Sequence, residues 1–265
     1  MILTEENYYS EEANREYLSV SQYKDFIGTL GKSGCEEQAL AKLNGEWEQE
    51  ETTALLVGSY VDAHFEGTLD VFKAKHPNIF KRDGNLKAEY TKANEIINRI
   101  GRDELFMKYM SGQKQVIMTA ELFGAKWKIK IDSYLEDKAI VDLKCMKALH
   151  KKEWAGDFGN MDFTQYWGYD IQGAVYQEVV YQNTGKRLPF YIAAATKEKE
   201  PDIAIIHIDD RHLREKLIEV ESNTRNILAL KNGEYEPTRC EMCDYCKHTK
   251  VLTKPIHFSE LLGEL

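Results

Sequence analysis

Asp132, Asp142 and Lys144 are the residues whose types and spacing could do chemistry. They fall in Glu121–Lys144, ELFGAKWKIKIDSYLEDKAIVDLK, where alternation predicts two β-strands. From Ala125 to Tyr134, Lys126, Lys128, Lys130 and Asp132 share one face while Trp127, Ile129 and Ile131 share the other. After the polar turn Leu135–Lys138 the alternation resumes through Cys145, so Asp142 and Lys144 project together, opposite Val141, Leu143 and Cys145. Two carboxylates on adjacent strands can hold a hard divalent cation, which prefers oxygen ligands. A lysine two residues from one of them can then orient a metal-activated water or offset charge growing on a phosphate. A solvated hairpin face gives the same alternation and is its commoner cause, and Glu121 reads equally well as a solvent-facing strand residue.

Other stretches carry candidate groups. A helix expected over Thr53–Phe65 has the apolar stripe Leu56, Val57, Tyr60, Val61, which continues to His64 and Phe65 and turns His64 inward, as core or as ligand. A long helix expected over Phe163–Asn183 sets Gln165, Tyr169, Gln172 and Tyr176 on one stripe. Between them, Lys147, His150, Lys151, Lys152, Trp154 and Phe158 interleave basic and aromatic side chains, which suits phosphates and bases, or a solvated loop with one anchoring Trp. Cys240, Cys243 and Cys246 form Cys-x2-Cys-x2-Cys, a metal-binding spacing that needs a fourth ligand, Cys35 or His248. Unliganded thiols are the alternative, and Cys145 reads as core.

These groups must be positioned by the rest of a chain of 265 residues and net charge -9, long enough for one sizeable core. The charge does not advertise nucleic-acid binding, although a nuclease can confine its positive charge to a groove. No apolar run approaches a membrane span and the start has no signal-peptide character, which implies a soluble, cytoplasmic protein. Residues 1–17 read as a polar arm. Ser21 is expected to cap a helix through Phe26 and Leu30, and Cys35 to open another that ends at Asn44–Gly45. Phe72–Leu86 reads as loop, Lys87–Ile100 as helix, and Lys114–Leu122, Leu188–Thr196 and Ile203–Ile208 as strands before a last helix over Arg211–Leu230. That order predicts an α/β fold with a central mixed sheet flanked by helices.

Asp132 followed by Asp142-Leu143-Lys144 resembles the core of the PD-(D/E)XK nuclease superfamily, whose restriction-endonuclease-like fold has this arrangement. GSYVDAHFEG resembles the Gly-x-x-x-(Asp)-x-His motif of its RecB-like branch, and Gln172-x-x-x-Tyr176 resembles that branch's additional motif. The chain is most similar to phage and prophage RecE-type exonucleases, through GSYVDAH, KIDSY, VDLK, YDIQGAVYQE and the CEMCDYC tail. The resemblance implies one exonuclease domain over 1–265 that uses Mg²⁺ (or Mn²⁺) to digest double-stranded DNA from its ends, 5′ to 3′. It further implies 3′ overhangs passed to a single-strand annealing protein in recombination, and ring-shaped homo-oligomers. His64, Asp132, Asp142 and the Leu143 carbonyl would hold the metal and Lys144 would position the water. Gln172 and Tyr176 would hold the strand, with Lys147, Lys151, Lys152 and Trp154 on the DNA. In some RecB-like nucleases a cysteine ahead of the histidine helix joins three near the C-terminus in a [4Fe-4S] cluster. That pattern implies Cys35, Cys240, Cys243 and Cys246 as ligands, with residues 236–265 packed back on the N-terminal helices. The family leaves more residues between its last two cysteines, which keeps Zn²⁺ in contention. A non-catalytic DNA-binding scaffold, and a nuclease of other polarity or single-strand preference, are the rival readings.

Overall fold

The computed structural model describes residues 1–259, so the last six positions of the expected C-terminal segment lie outside the described residues. The central sheet runs β6–β5–β4–β3, from Ser133–Leu135 (β3), Ala139–Met146 (β4), Phe190–Thr196 (β5) and Ile203–Ile208 (β6). β4 and β5 are parallel while both outer pairings are antiparallel, which makes the sheet mixed. Strand parity sorts the side chains of β4. Ala139, Val141 and Leu143 join the core beneath Thr53–Glu66 (α4) and Ala88–Gly101 (α6). Ile140 and Met146 join the core on the opposite face, beneath Tyr169–Thr184 (α9) and Asp210–Lys231 (α10). Asp142 and Lys144 have the parity of Ile140, so they face α9.

The strand expected over Ala125–Tyr134 is in fact two. Val116–Leu122 (β1) and Ala125–Ile131 (β2) form their own antiparallel ribbon, joined by Phe123–Gly124 with φ of 57° and 81°, the positive values that a two-residue hairpin turn requires. Asp132 falls between this ribbon and β3. The face of β2 expected to meet solvent is covered: residues 1–17 do not extend as an arm but pack on it through Glu11–Glu16 (α1). Lys128 is buried there, donating to the Tyr8 carbonyl and to Asn14 Oδ1.

Three further expectations shift. Val20–Ile27 (α2) is capped by Ser19, whose hydroxyl accepts from the Gln22 N–H, and not by Ser21. The loop expected over Phe72–Leu86 contains the end of Leu69–Lys75 (α5) and a 3-10 turn at Pro77–Ile79. The helix expected over Phe163–Asn183 is broken at Trp167–Gly168 into Phe163–Tyr166 and α9, because Gly168 takes φ +62° with its Cα packed where any Cβ would meet Thr29, Ile171 and Lys24 at 3.0–3.1 Å. Gln165 therefore leaves the stripe that Tyr169, Gln172 and Tyr176 keep. No described helix is long and apolar enough to cross a membrane.

Candidate active site

Where β2 departs from the central sheet, a cavity of about 360 Å³ opens, lined by Asp62 and Glu66 of α4, by Asp132, and by Asp142 and Lys144 of β4. Tyr169, Gln172 and Tyr176 of α9, Ser19, Ser21 and Lys24 around α2, and Tyr8, Tyr9, Lys128 and Lys130 also line it. The opening follows from the register. Ser133 pairs with Val141, so a continued ladder would set Asp132 opposite Asp142. Because β2 turns away, the Leu143 N–H loses its strand partner on that side and donates instead to Asp132 Oδ2 at 2.8 Å. The bond pins the carboxylate beside β4.

Asp142 is buried, at 2% exposure. Its Oδ1 accepts from Gln172 Nε2 at 2.6 Å, and its Oδ2 lies 2.5 Å from Lys144 Nζ. The same ammonium donates to the Leu143 carbonyl at 3.3 Å. A buried carboxylate oxygen and a main-chain carbonyl thus converge on one cationic group, with Asp132 and Asp62 close by. The ammonium stands where a cation belongs. All donors are oxygens, several of them anionic, which fits Mg²⁺ or Mn²⁺ and not a soft metal.

The acids crowd one another. Burial, then the neighbouring charge of Asp142, raises the Asp132 carboxyl to about 7. Burial and Asp132 push Asp62 well above the usual carboxylate range. Burial alone would lower Lys144, but Asp142 and Asp132 hold it above the ordinary lysine range. On the opposite wall Lys24 donates to the Trp167 carbonyl at 2.9 Å, a bond that the helix break makes available, and stands 5.1 Å over the Tyr169 ring. Lys144 lies 5.5 Å over the same ring. Burial, and then repulsion by Lys144, lower Lys24 to about 7.

The structure brings most of the expected set together and leaves one member apart. Asp132, Asp142, Lys144, the Leu143 carbonyl, Gln172 and Tyr176 come together. His64 does not: it is exposed, edge-on to Phe65 at 5.0 Å, and absent from the cavity wall. The reason is helical geometry, since each residue turns a helix by about 100° and the acid-bearing face contains Asp62 and Glu66, four apart, with His64 about 200° from Asp62. The apolar stripe continues geometrically to His64, but that position is exposed at the end of α4. Reading Gly58, Asp62 and Glu66 as a face of their own would have found these acids. Gln172 and Tyr176 are engaged with protein, on Asp142 and on the Lys130 carbonyl at 3.1 Å. Lys147, Lys151, Lys152 and Trp154 are exposed on the segment after β4 and do not line the cavity; Lys151 is paired with Glu153 at 2.8 Å.

A second cluster joins the two ends of the described chain. The sulfurs of Cys35, Cys240, Cys243 and Cys246 lie within 4.8 Å of one another. Cys35 begins Glu36–Leu43 (α3), while Cys243 caps Asp244–His248 (α11), a helix not foreseen from sequence. Burial and the neighbouring thiols push Cys243 up to about 12, against the opposing Cys246 N–H. Burial would raise Cys240 too, but the N–H groups of Met242 and Cys243 and the adjacent sulfurs bring it to about 7. A bound metal cation would let the four ionise together. His248 takes no part; its ring packs 5.4 Å from that of Trp47.

With this geometry in view, residues 19–249 match the family described as a PDDEXK-like domain of unknown function, DUF3799. The chain belongs to this PDDEXK-like family. Its mixed sheet and flanking helices are the family's α/β architecture. The same architecture is seen in the crystal structure of a protein named as a candidate exonuclease from Eubacterium rectale, 63% identical over 100% of both chains with a TM-score of 0.98. The structure of SSO0001 is 12% identical over 72% of this PDDEXK-like chain and 84% of that one, with a TM-score of 0.29. No curated protein matches it.

Proposed function

We propose that this PDDEXK-like protein is a metal-dependent deoxyribonuclease, an exonuclease that degrades linear double-stranded DNA 5′ to 3′. The observation that carries the reading is the convergence of Asp142 Oδ2 and the Leu143 carbonyl on the Lys144 ammonium, beside Asp132 and Asp62, in a cavity walled by lysines and tyrosines. Asp62, Asp132, Asp142 and the Leu143 carbonyl would hold Mg²⁺ or Mn²⁺. When bound, the ion supplies Lewis-acid charge opposite the phosphate and an acidified water.

The chain's own groups do the rest. Gln172 fixes the Asp142 carboxylate by donating to its Oδ1. Lys144, beside Asp142 on the same face of β4, would direct its ammonium toward the attacking water and the charged phosphate oxygens. Water adds to phosphorus and gives up a proton to solvent, the P–O3′ bond breaks, the departing 3′ oxygen takes a proton from solvent, and the remaining strand keeps a 5′ phosphate. Lys24, opposite Lys144, and the exposed Tyr9 at the cavity's edge would receive the strand, with Lys147, Lys152 and Trp154 farther along its path. The relative's printed name supports an exonuclease; duplex substrate, 5′-to-3′ polarity, overhangs for an annealing partner and a ring assembly follow from the RecE-type resemblance alone.

Linear duplex labelled at its 5′ or 3′ end, incubated with Mg²⁺ or EDTA, tests the reading alongside Asp142→Ala and Lys144→Ala. Metal-dependent release of the 5′ label, lost in both variants, is expected. Release of the 3′ label first would reverse the polarity, and intact DNA with binding retained would make the protein a scaffold.

A further inference from the structure

We propose that Cys35, Cys240, Cys243 and Cys246 hold a single zinc ion, and not the [4Fe-4S] cluster that the resemblance implies. The distances decide between them. Cys246 Sγ lies 3.6 Å from Cys35 Sγ and 3.9 Å from Cys240 Sγ, and all four sulfurs lie within 4.8 Å of one another. Thiolates arranged tetrahedrally at about 2.3 Å from one zinc ion stand about 3.8 Å apart. A cubane gives each thiolate a different iron, which adds the iron–iron separation to every sulfur–sulfur edge. The sulfur cage here is sized for one ion.

The local backbone agrees. The Cys243 N–H donates to Cys240 Sγ at 3.3 Å and the Cys246 N–H to Cys243 Sγ at 3.4 Å, so the Cys-x2-Cys-x2-Cys run folds each successive sulfur onto the one before it. The short spacing between the last two cysteines, which departs from the iron–sulfur pattern, is what closes the cage. Cys35, which starts α3 without a side-chain capping bond, turns its sulfur to Cys246 Sγ instead. A zinc tetrathiolate carries net negative charge. Arg239, whose Nη2 donates to the Cys246 carbonyl at 2.9 Å while Nη1 bonds Glu37, is the cation beside it.

The site is also tied to the cavity wall. The Cys35 N–H donates to the Asp25 carbonyl at 2.9 Å, one residue from Lys24, and Thr238 bonds Glu36. The ion therefore fixes the end of α2 to the C-terminal segment and is structural, with no open coordination position.

The full chain, expressed with both iron and zinc supplied and purified once in air and once anaerobically, is analysed for metal, acid-labile sulfide and visible absorption. One zinc per chain with neither sulfide nor a visible charge-transfer band, in both preparations, is expected. Iron with sulfide and a brown anaerobic preparation would overturn the proposal, as would a chain free of both metals. His248→Ala should keep full zinc, whereas Cys35→Ser should lose it. If Cys35→Ser fails to fold, exchange of the native chain with Co²⁺ gives the same answer, since a tetrahedral cobalt tetrathiolate has intense visible bands and any other geometry would refute the site. No readout involves DNA, so the result stands apart from the nuclease reading.

Discussion

Replacing Asp132 with Asn should make the metal-free protein more stable while removing its response to metal. The Asp132 carboxyl titrates near 7 in the native chain, through burial and the charge of Asp142, and near 3.8 when unfolded. A native carboxyl raised in this way leaves the fold undisturbed below the unfolded value and costs stability as pH climbs from there to the folded value. The cost is about 1.4 kcal/mol per pH unit, and so about 4 kcal/mol by pH 7 as an upper limit, because the cavity admits water. Asn removes that charge yet keeps an oxygen to accept the Leu143 N–H. For a chain of this length the limit corresponds to roughly 8–16 °C in Tm, and a rise of a few degrees already has the predicted sign. Thermal unfolding of both proteins in EDTA should give matching curves near pH 4 and a gap that widens to pH 7 and then holds. Adding Mg²⁺ or Mn²⁺ should stabilise the native chain by mass action and leave the variant where it was. A variant that is less stable at pH 8 without metal, or a gap independent of pH, would refute the account of the acid cluster.

Three further outcomes follow from the same geometry. Asp62→Asn should weaken Mn²⁺ binding, read by calorimetry, while His64→Ala should leave it within error; the reverse result would restore the histidine to the site. Lys144→Ala should lower single-turnover cleavage by about 10²–10³-fold with duplex affinity nearly unchanged, as expected for a group that acts on developing charge. Gly168→Ala should cost about 1–3 kcal/mol in urea unfolding, since it forces a left-handed residue and a Cβ against Thr29, Ile171 and Lys24, and a neutral substitution would show that the break in the helix is not fixed by packing.

Most of β4 was legible because period-two alternation is a local property: Val141 and Leu143 on one side and Asp142 and Lys144 on the other needed only the strand itself. What the sequence did not reveal depended on neighbours distant in the chain. Nothing local to Ile131–Asp132–Ser133 says that the ribbon leaves the sheet there, since that depends on which strands pair with each side. The inward reading of His64 extended a correct stripe one turn too far, onto an exposed position. Likewise the helix over Phe163–Asn183 has continuous helical character, and the break comes from Gly168 meeting Thr29 and Lys24, residues some 140 positions earlier. Lys128 alternated as an exposed residue should, and only the packing of residues 1–17 buries it.

The cysteine cluster also sets an order of events during synthesis. Cys35 and Cys246 are 211 residues apart, so a ribosome adding about 5–20 residues per second leaves Cys35 without its partners for roughly 10–40 s. Through that interval the α2 end that carries Lys24 can pack but cannot be stapled. The acids and lysine of β4 emerge well before the last sulfur does. A nascent chain therefore holds the acid and lysine of β4 before the fastening that fixes one wall around them, and the meeting of the four sulfurs marks the end of assembly.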